Sequence, residues 1–234
     1  MSAATTAAPL KVLSGNGPRA AVRELCRRFG DAHGIAIDLA FDVNPEVIRR
    51  GEAGEAFDVA VGNPPTIEQL IKSGKVAAGS LIDFGRAGLG VAVRSGASKP
   101  DMSSVAAFTR ALLDCEAVAF PGEGASGRYF VSVVERLGIA HEMRGRLRPM
   151  AAEDCVEVVA RGEAEMVVVV ATRIVDVPGV DYAGPIPETL QTMIGFAAGL
   201  SASARDPEMA RALIRSLAAP EAKKTLRAKG VEPI

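Results

Sequence analysis

Two polar, glycine-rich segments carry residue types that could hold a small anion. The first is Ser14-Gly15-Asn16-Gly17, between an apolar run and a helical pattern. Helix N-termini offer unpaired backbone N–H groups and a partial positive charge, so anions bind there readily. Ser14 and Asn16 can donate hydrogen bonds beside Gly17, and Arg19 can add a two-pronged contact to a carboxylate. The alternative is that these residues only cap the helix and that Arg19 is solvated.

The second segment is Gly122 to Arg128, which precedes another helical pattern. Its three glycines let the backbone approach a ligand closely, so we expect contacts from Gly124 and Ala125. Ser126 suits the N-cap. Arg128 lies in the first turn, where a cation opposes the helix dipole, and this indicates a negative group nearby. That group is either a ligand or Glu123.

Two asparagines follow other predicted strands. Asn44 stands before Pro45, and Asn63 follows Gly62. Ligands of open α/β sheets bind beyond the carboxyl ends of the strands, which makes both side chains candidate ligand contacts. A helix cap at Asn44 and a simple turn at Asn63 remain the alternatives.

The chain that positions these residues alternates apolar runs with helical spacing. Strands are predicted at 10–13, 35–41, 57–61, 89–93, 117–120, 166–171 and 193–200. Helices are predicted around 22–29, 45–50, 67–71, 105–113, 129–137 and 153–161, from 207, and between 220 and 230. This alternation favours an α/β fold with mainly parallel sheet. We expect two lobes, residues 9–88 plus 196–234 and residues 89–195, with a central sheet in each and a ligand cleft between them.

Charge and composition exclude some classes of function. The chain has 27 basic and 28 acidic residues and no polybasic block, so we expect no nucleic acid partner. The start, MSAATTAAPL, lacks the basic and apolar regions of a signal peptide. We therefore expect a cytoplasmic protein as written, or a periplasmic one if a leader has been trimmed, without membrane insertion.

The cysteines and histidines do not indicate a metal site. Cys26, Cys115 and Cys155 are too few and too widely spaced for a disulfide framework. His33 and His141 do not fall at the spacing of zinc ligands. We expect reduced, partly buried thiols, no metal and no cofactor.

Several segments resemble the molybdate-binding branch of the type II periplasmic solute-binding proteins. The similar segments are the opening strand, loop and helix, the stretches 51–59 and 162–165, and the ending from Asp206-Pro207-Glu208 through Pro220-Glu221-Ala222 to Gly230-Val231-Glu232-Pro233. Together they cover nearly the whole chain. The resemblance implies a two-lobed type II fold that holds its ligand on backbone N–H groups and short polar side chains. It also implies contacts from the loops of Asn44 and Gly124 and from the backbone N–H of Ala152.

The sequence departs from that branch at two places. The family's tyrosine after the buried strand of lobe two is missing from Val170-Ala171-Thr172-Arg173, and Asn16-Gly17 stands where small hydroxyl residues are usual. These departures favour an organic anion over molybdate, because arginine presents a planar fork to a carboxylate. Arg19, Arg128 and Arg173 are the arginines available for it.

Three functions remain open at this point. The first is binding of a small oxyanion or a di- or tricarboxylate, with a transporter permease as partner if the protein is exported. The second is isomerisation of an unsaturated tricarboxylate, as in aconitate-isomerase-like relatives, with Glu123 or Tyr129 as the base. An intracellular sensor ranks last, because no DNA-binding or signalling segment is evident. The chain has no Gly-x-Ser-x-Gly elbow and no Walker loop.

Overall fold

The computed structural model describes residues 8–234. It divides into two compact units, which we call unit 1 and unit 2. Unit 1 comprises the described residues up to Gly85 together with Gly195–Ile234, and unit 2 is Arg86–Ile194.

Unit 1 begins with three strand–helix pairs. They are β1 (Leu10–Gly15), α1 (Arg19–His33), β2 (Ile37–Asp42), α2 (Asn44–Glu52), β3 (Val59–Gly62) and α3 (Pro64–Lys72), and β4 (Ile82–Ala87) follows. Helix α1 buries Val22, Leu25 and Phe29, the apolar stripe that predicted it, and ends at Gly34 in the left-handed conformation. Strand β1 pairs in parallel with both β2 and β3. The C-terminal ends of these three strands therefore lie at one edge of the sheet.

Unit 2 is a second α/β layer structure. Its elements are β5 (Leu89–Arg94), α4 (Val105–Asp114), β6 (Val118–Pro121), α5 (Ala125–Arg136), α6 (Ala140–Met143), β7 (Leu147–Met150), α7 (Glu157–Ala160), β8 (Met166–Val170) and β9 (Val180–Pro185). The strand order is β7-β6-β8-β5-β9. All five residues of β8 are buried, as the run of apolar, mostly β-branched residues predicts. Strand β6 pairs in parallel with β7 and β8, so their C-terminal ends also share one edge.

The chain then returns to unit 1. The returning elements are β10 (Ile194–Leu200), α8 (Pro207–Ala218), α9 (Lys223–Ala228) and β11 (Glu232–Pro233). The strand order of this sheet is β11-β4-β10-β3-β1-β2, so β10 lies inside it. Helix α8 starts as predicted, because the Asp206 carboxylate accepts a hydrogen bond from the Met209 N–H at 3.0 Å.

The predicted α/β class is confirmed, but both sheets are mixed where mainly parallel sheets were expected. The strand that enters unit 2, β5, runs antiparallel to β8 and β9, and the returning strand β10 runs antiparallel to β3. Neither β5 nor β10 is connected to the preceding strand by an α-helix, the connection that makes neighbouring strands parallel. The helix predicted at 153–161 shortens to α7, and β4, β7, β9 and β11 were not predicted. The sequence of β7, LRPM, contains arginine and proline and lacks the alternation that predicts a strand.

Two negative findings concern residues 8–234. None of their helices is long and apolar enough to span a bilayer. No three of their His, Cys, Asp or Glu side chains are grouped so that they could hold a metal ion.

Candidate functional site

The first candidate set lies at the strand ends of unit 1. We call residues 14–19, 42–44 and 62–64 the unit 1 edge. The buried Ser14 hydroxyl donates to the Gly15 carbonyl at 3.0 Å, and the Asn16 N–H donates to the Asp42 carbonyl at 2.8 Å. The second of these bonds fastens the loop after β1 to the end of β2. The side-chain oxygen Oδ1 of Asn16 is buried without a hydrogen-bond partner.

Asn44 and Asn63 lie at the same edge, where α2 and α3 begin. The Oδ1 atom of Asn44 is also buried without a partner. Asn63 is the N-cap of α3, yet its side chain makes no capping hydrogen bond. The N-cap of α2 is Val43, so Asn44 is not the helix cap that was its alternative interpretation, and the Asn63 amide does not cap α3. Both remain candidates for contact with a ligand.

Gly17 and Arg19 are packed against aromatic rings. A Cβ on Gly17 would lie 2.8 Å from Cε1 of Phe196, so this loop position has no room for a side chain. The Arg19 guanidinium lies over the Phe41 ring, 5.1 Å from its centroid. A cation above an aromatic face is stabilised there. Arg19 is therefore held beside the end of β2.

The second candidate set lies at the strand ends of unit 2. We call residues 121–128, 150–153 and 170–173 the unit 2 edge. Gly124 is the N-cap of α5 with φ 94°, a conformation that L side chains rarely adopt. A Cβ on Gly127 would overlap the Pro121 carbonyl oxygen. The first turn of α5, with Ala125 and the buried Ser126, is therefore pressed onto the end of β6.

Arg128 and Glu123 are both exposed. Within residues 8–234, they form no ion pair with each other. The explanation that Glu123 neutralises Arg128 therefore has no geometric support. Arg128 remains a candidate contact for an anion at the first turn of α5.

Arg173 is the half-buried cation of the unit 2 edge, in the 3₁₀ turn Ala171–Arg173 after β8. Its Nη2 donates to the Ala152 carbonyl at 2.9 Å, while its Nε is buried without a hydrogen-bond partner. Ala152 is half-buried, and in the described part of the chain its N–H donates to no other group. Because β6, β7 and β8 end at the same edge, Arg173 and Ala152 belong to the same region as the start of α5.

Glu157 is a residue that sequence reasoning missed. It lies in the first turn of α7, and its Oε2 is buried without a partner. Burial raises the pKa of the nearby Cys155 thiol to about 12, and the charges of Arg173 and Glu157 act on the same thiol. Nη2 of Arg173 and the Cys155 thiol, two residues before Glu157, both donate to the Ala152 carbonyl. The sequence offered no signal to choose Glu157 over Glu153.

Tyr129, one of the two bases considered from the sequence, is engaged elsewhere. Its hydroxyl donates to the Leu190 carbonyl at 3.0 Å and accepts from Nη1 of Arg136 at 3.2 Å. These bonds tie α5 to the segment that leads out of unit 2. The arrangement fits a structural role for the hydroxyl.

Solved structures with the same fold come from several bacteria. The periplasmic molybdate-binding protein of Azotobacter vinelandii has a TM-score of 0.78 and 18% identity, covering 95% of this chain and 98% of its own. The sulfate-binding protein SubI of Mycobacterium tuberculosis has a TM-score of 0.80 and 15% identity, covering 97% of this chain and 88% of its own. At these identities the likeness establishes the type II periplasmic binding fold.

Sequence comparison is more specific. An aconitate isomerase from Pseudomonas sp is 32% identical over 238 residues, which cover 99% of this chain and 90% of that protein. The family model described as bacterial extracellular solute-binding protein matches residues 10–232. The chain therefore belongs to the bacterial extracellular solute-binding protein family.

Proposed function

We propose that this protein binds a small di- or tricarboxylate, and that the unit 1 edge and the unit 2 edge each offer donors for carboxylate oxygens. The observation that supports the proposal most is Arg173, whose Nε is buried without a partner. An unsatisfied buried donor costs about 1–3 kcal/mol, and more when it is charged. A bound carboxylate would remove that cost, because its two oxygens match the planar fork of the guanidinium.

Other donors at each edge also suit carboxylate oxygens. The start of α5 offers backbone N–H groups and the hydroxyl of Ser126, in a 12-residue helix with a substantial dipole. The amides of Asn16, Asn44 and Asn63 are neutral donors that can orient a carboxylate. A ligand with several carboxylates uses these groups more fully than a single compact oxyanion does.

The test is isothermal titration calorimetry of the full chain with citrate, tricarballylate, cis-aconitate, trans-aconitate, sulfate, molybdate and tungstate. We expect at least one polycarboxylate to bind more tightly than every inorganic oxyanion. The matched variants are Arg173→Ala and Arg161→Ala, since Arg161 is an exposed arginine paired with Asp154 and Glu163. Binding confined to molybdate or tungstate, or an unchanged affinity in Arg173→Ala, would exclude the proposal.

A second candidate function is isomerisation of the bound tricarboxylate. It is favoured by the relative named aconitate isomerase, which aligns with almost the whole chain. Moving a double bond beside a carboxylate requires a base that removes one proton from an adjacent carbon and returns one proton to the carbon at the other end of the allylic system. No oxidant or cofactor is needed. A binding protein would deliver its anion to a transporter permease, whereas an isomerase needs no such partner.

Glu157 is the carboxylate that we assign to this proton transfer. Its Oε2 is buried and unpartnered, and it lies two residues after Cys155, whose thiol shares the Ala152 carbonyl with Arg173. A guanidinium beside the substrate carboxylate would stabilise the negative charge that develops when the proton leaves.

Incubation with cis- or trans-aconitate in D₂O, followed by NMR, tests the second function. We expect interconversion with deuterium incorporation, and loss of both in Glu157→Gln while the Kd stays within about threefold of wild type. The control is Glu153→Gln, an exposed glutamate of the same segment. Tight binding of aconitate without interconversion would exclude the isomerase function and retain only the binding function.

A further inference from the structure

The side-chain amide of Asn44 is packed against two glycines at the ends of neighbouring strands. A Cβ on Gly15 would lie 2.5 Å from Oδ1 of Asn44 and 3.4 Å from its Cγ. A Cβ on Gly62 would lie 3.0 Å from the same Oδ1. Any other residue at position 15 would therefore displace the amide. The space that holds its oxygen exists because neither position carries a side chain.

The chemistry of this contact fixes which end of the amide faces the glycines. The Oδ1 atom is buried without a hydrogen-bond partner, and it lies against the backbone of Gly15 and Gly62. Glycine Cα–H groups are weak donors that an oxygen tolerates, whereas an NH₂ group in that place would bury two donors without an acceptor. The Nδ2 end must therefore point away from the glycines. It is not among the buried atoms that lack a partner.

We propose that Gly15 and Gly62 are positioning residues that lock the Asn44 amide so that it presents only its donor end, Nδ2, to the ligand. This inference rests on the proposed binding of an anion at that edge, and it specifies what the edge selects. The site takes an ionised carboxylate or another acceptor oxygen at Asn44. It discriminates against a ligand that places a hydroxyl or a protonated acid there, because the amide oxygen that would accept such a proton is sealed against the glycines.

The test is a double-mutant cycle measured by calorimetry with trans-aconitate at pH 7.5, or with the tightest polycarboxylate of the panel. Asn44→Ala removes the donor and should lower affinity about tenfold. Gly15→Ala should lower it by a similar factor, because Gly15 has no positive φ and the added methyl group meets chiefly the amide. In the Asn44→Ala background, Gly15→Ala should change affinity by less than about twofold. Equal losses from Gly15→Ala in both backgrounds, or no loss in either, would overturn the inference.

Gly51→Ala is the matched control, because its Cβ would lie 2.8 Å from Cδ2 of Leu70. It adds a similar clash in α2, the helix that Asn44 begins, but away from the amide. We expect its affinity to equal that of wild type.

Asn44→Asp keeps the inference testable if Gly15→Ala does not fold. Aspartate has the same shape but offers only acceptors, so its affinity for the anion should fall well below that of Asn44→Ala. An Asn44→Asp variant that binds like wild type would refute the donor-only arrangement. If wild type binds no polycarboxylate, the proposed function fails first. If wild type binds and Asn44→Ala weakens binding while the Gly15 cycle shows no coupling, only the positioning role fails.

Discussion

The two edges are built on the same topology but supply different chemistry. Each collects the C-terminal ends of parallel strands and the starts of the helices that follow. The unit 1 edge offers neutral amides, and its arginine, Arg19, lies over an aromatic ring. The unit 2 edge offers Arg173, with its unpartnered Nε, beside a helix start compressed by glycines. For the proposed polycarboxylate ligand, we infer that the unit 2 edge offers charge neutralisation and that the unit 1 edge offers orienting hydrogen bonds.

Removing Arg173 should have the largest effect on affinity. Arg173→Ala should weaken polycarboxylate binding by about 10- to 100-fold, since hydrogen bonds to charged groups contribute about 1.5–3 kcal/mol. Arg173→Lys should recover only part of the loss, because lysine keeps the charge without the fork. Calorimetry measures both, with thermal unfolding as a check on the fold. Equal affinities for wild type and Arg173→Ala would remove the asymmetry between the edges.

Crowding the start of α5 should disturb stability and binding together. Gly127→Ala forces a methyl group into the Pro121 carbonyl, so the first turn of α5 must shift, at a cost of about 2 kcal/mol in the free energy of unfolding. Urea denaturation checks the stability, and calorimetry checks the accompanying loss of affinity. Gly145→Ala is the control, because its Cβ would contact nothing within 4 Å. A Gly127→Ala protein as stable as the control would contradict the close packing.

In unit 1, the buried carboxylate of Asp58 should contribute to the stability of the protein and not to its affinity for the ligand. Asp58 accepts hydrogen bonds from the backbone N–H groups of Lys11 at 2.8 Å and Arg205 at 2.9 Å. Asp58→Ala leaves both donors unpaired and should destabilise the protein by about 2 kcal/mol in urea denaturation. Asp58 precedes β3, at the opposite strand end from the unit 1 edge, so the Kd of the folded protein should not change. A weaker Kd would show that the edge depends on more than its own loops.

Loss of one neutral amide should cost less than loss of Arg173. Asn16→Ala should weaken binding about fivefold, because a neutral hydrogen bond contributes about 1 kcal/mol. Calorimetry on the same ligand allows a direct ranking. A loss larger than that of Arg173→Ala would reverse the roles assigned to the two edges.

The thiols should give the smallest effect. Burial raises the pKa of Cys26, Cys115 and Cys155 to about 12, compared with about 8.5 for a free thiol. Reaction requires the thiolate, which is scarce below the raised pKa and increases as the pH approaches it. Native protein should therefore react only slowly with Ellman's reagent at pH 8, and denaturant should release all three thiols. Rapid labelling of one thiol in the native state would contradict its burial.

The sequence located the edges but not the atoms that distinguish them. Strand periodicity followed by Asn16, Asn44 and the glycines before Ser126 was sufficient to place the loops, because β1, β6 and the helices after them follow local patterns. The position of the Arg173 guanidinium depends on the bond from its Nη2 to the Ala152 carbonyl, 21 residues away along the chain, and its Nε is left without a partner. The amide of Asn44 depends on Gly15 and Gly62, which local patterns do not connect. Long-range packing decides which polar atoms lack partners, so neither Glu157 nor the glycine contact could be predicted.

The position of β10 inside the sheet of unit 1 has a consequence for how the chain folds during synthesis. Strand β3 reaches its neighbour on that side only after residues 194–200 have left the ribosome, whereas all elements of unit 2 have been made by then. Domains usually fold in the order in which they are translated. Here β3, made early, must wait for a strand that is made after unit 2, and until then the exposed side of β3 is an open strand edge that invites association with other chains.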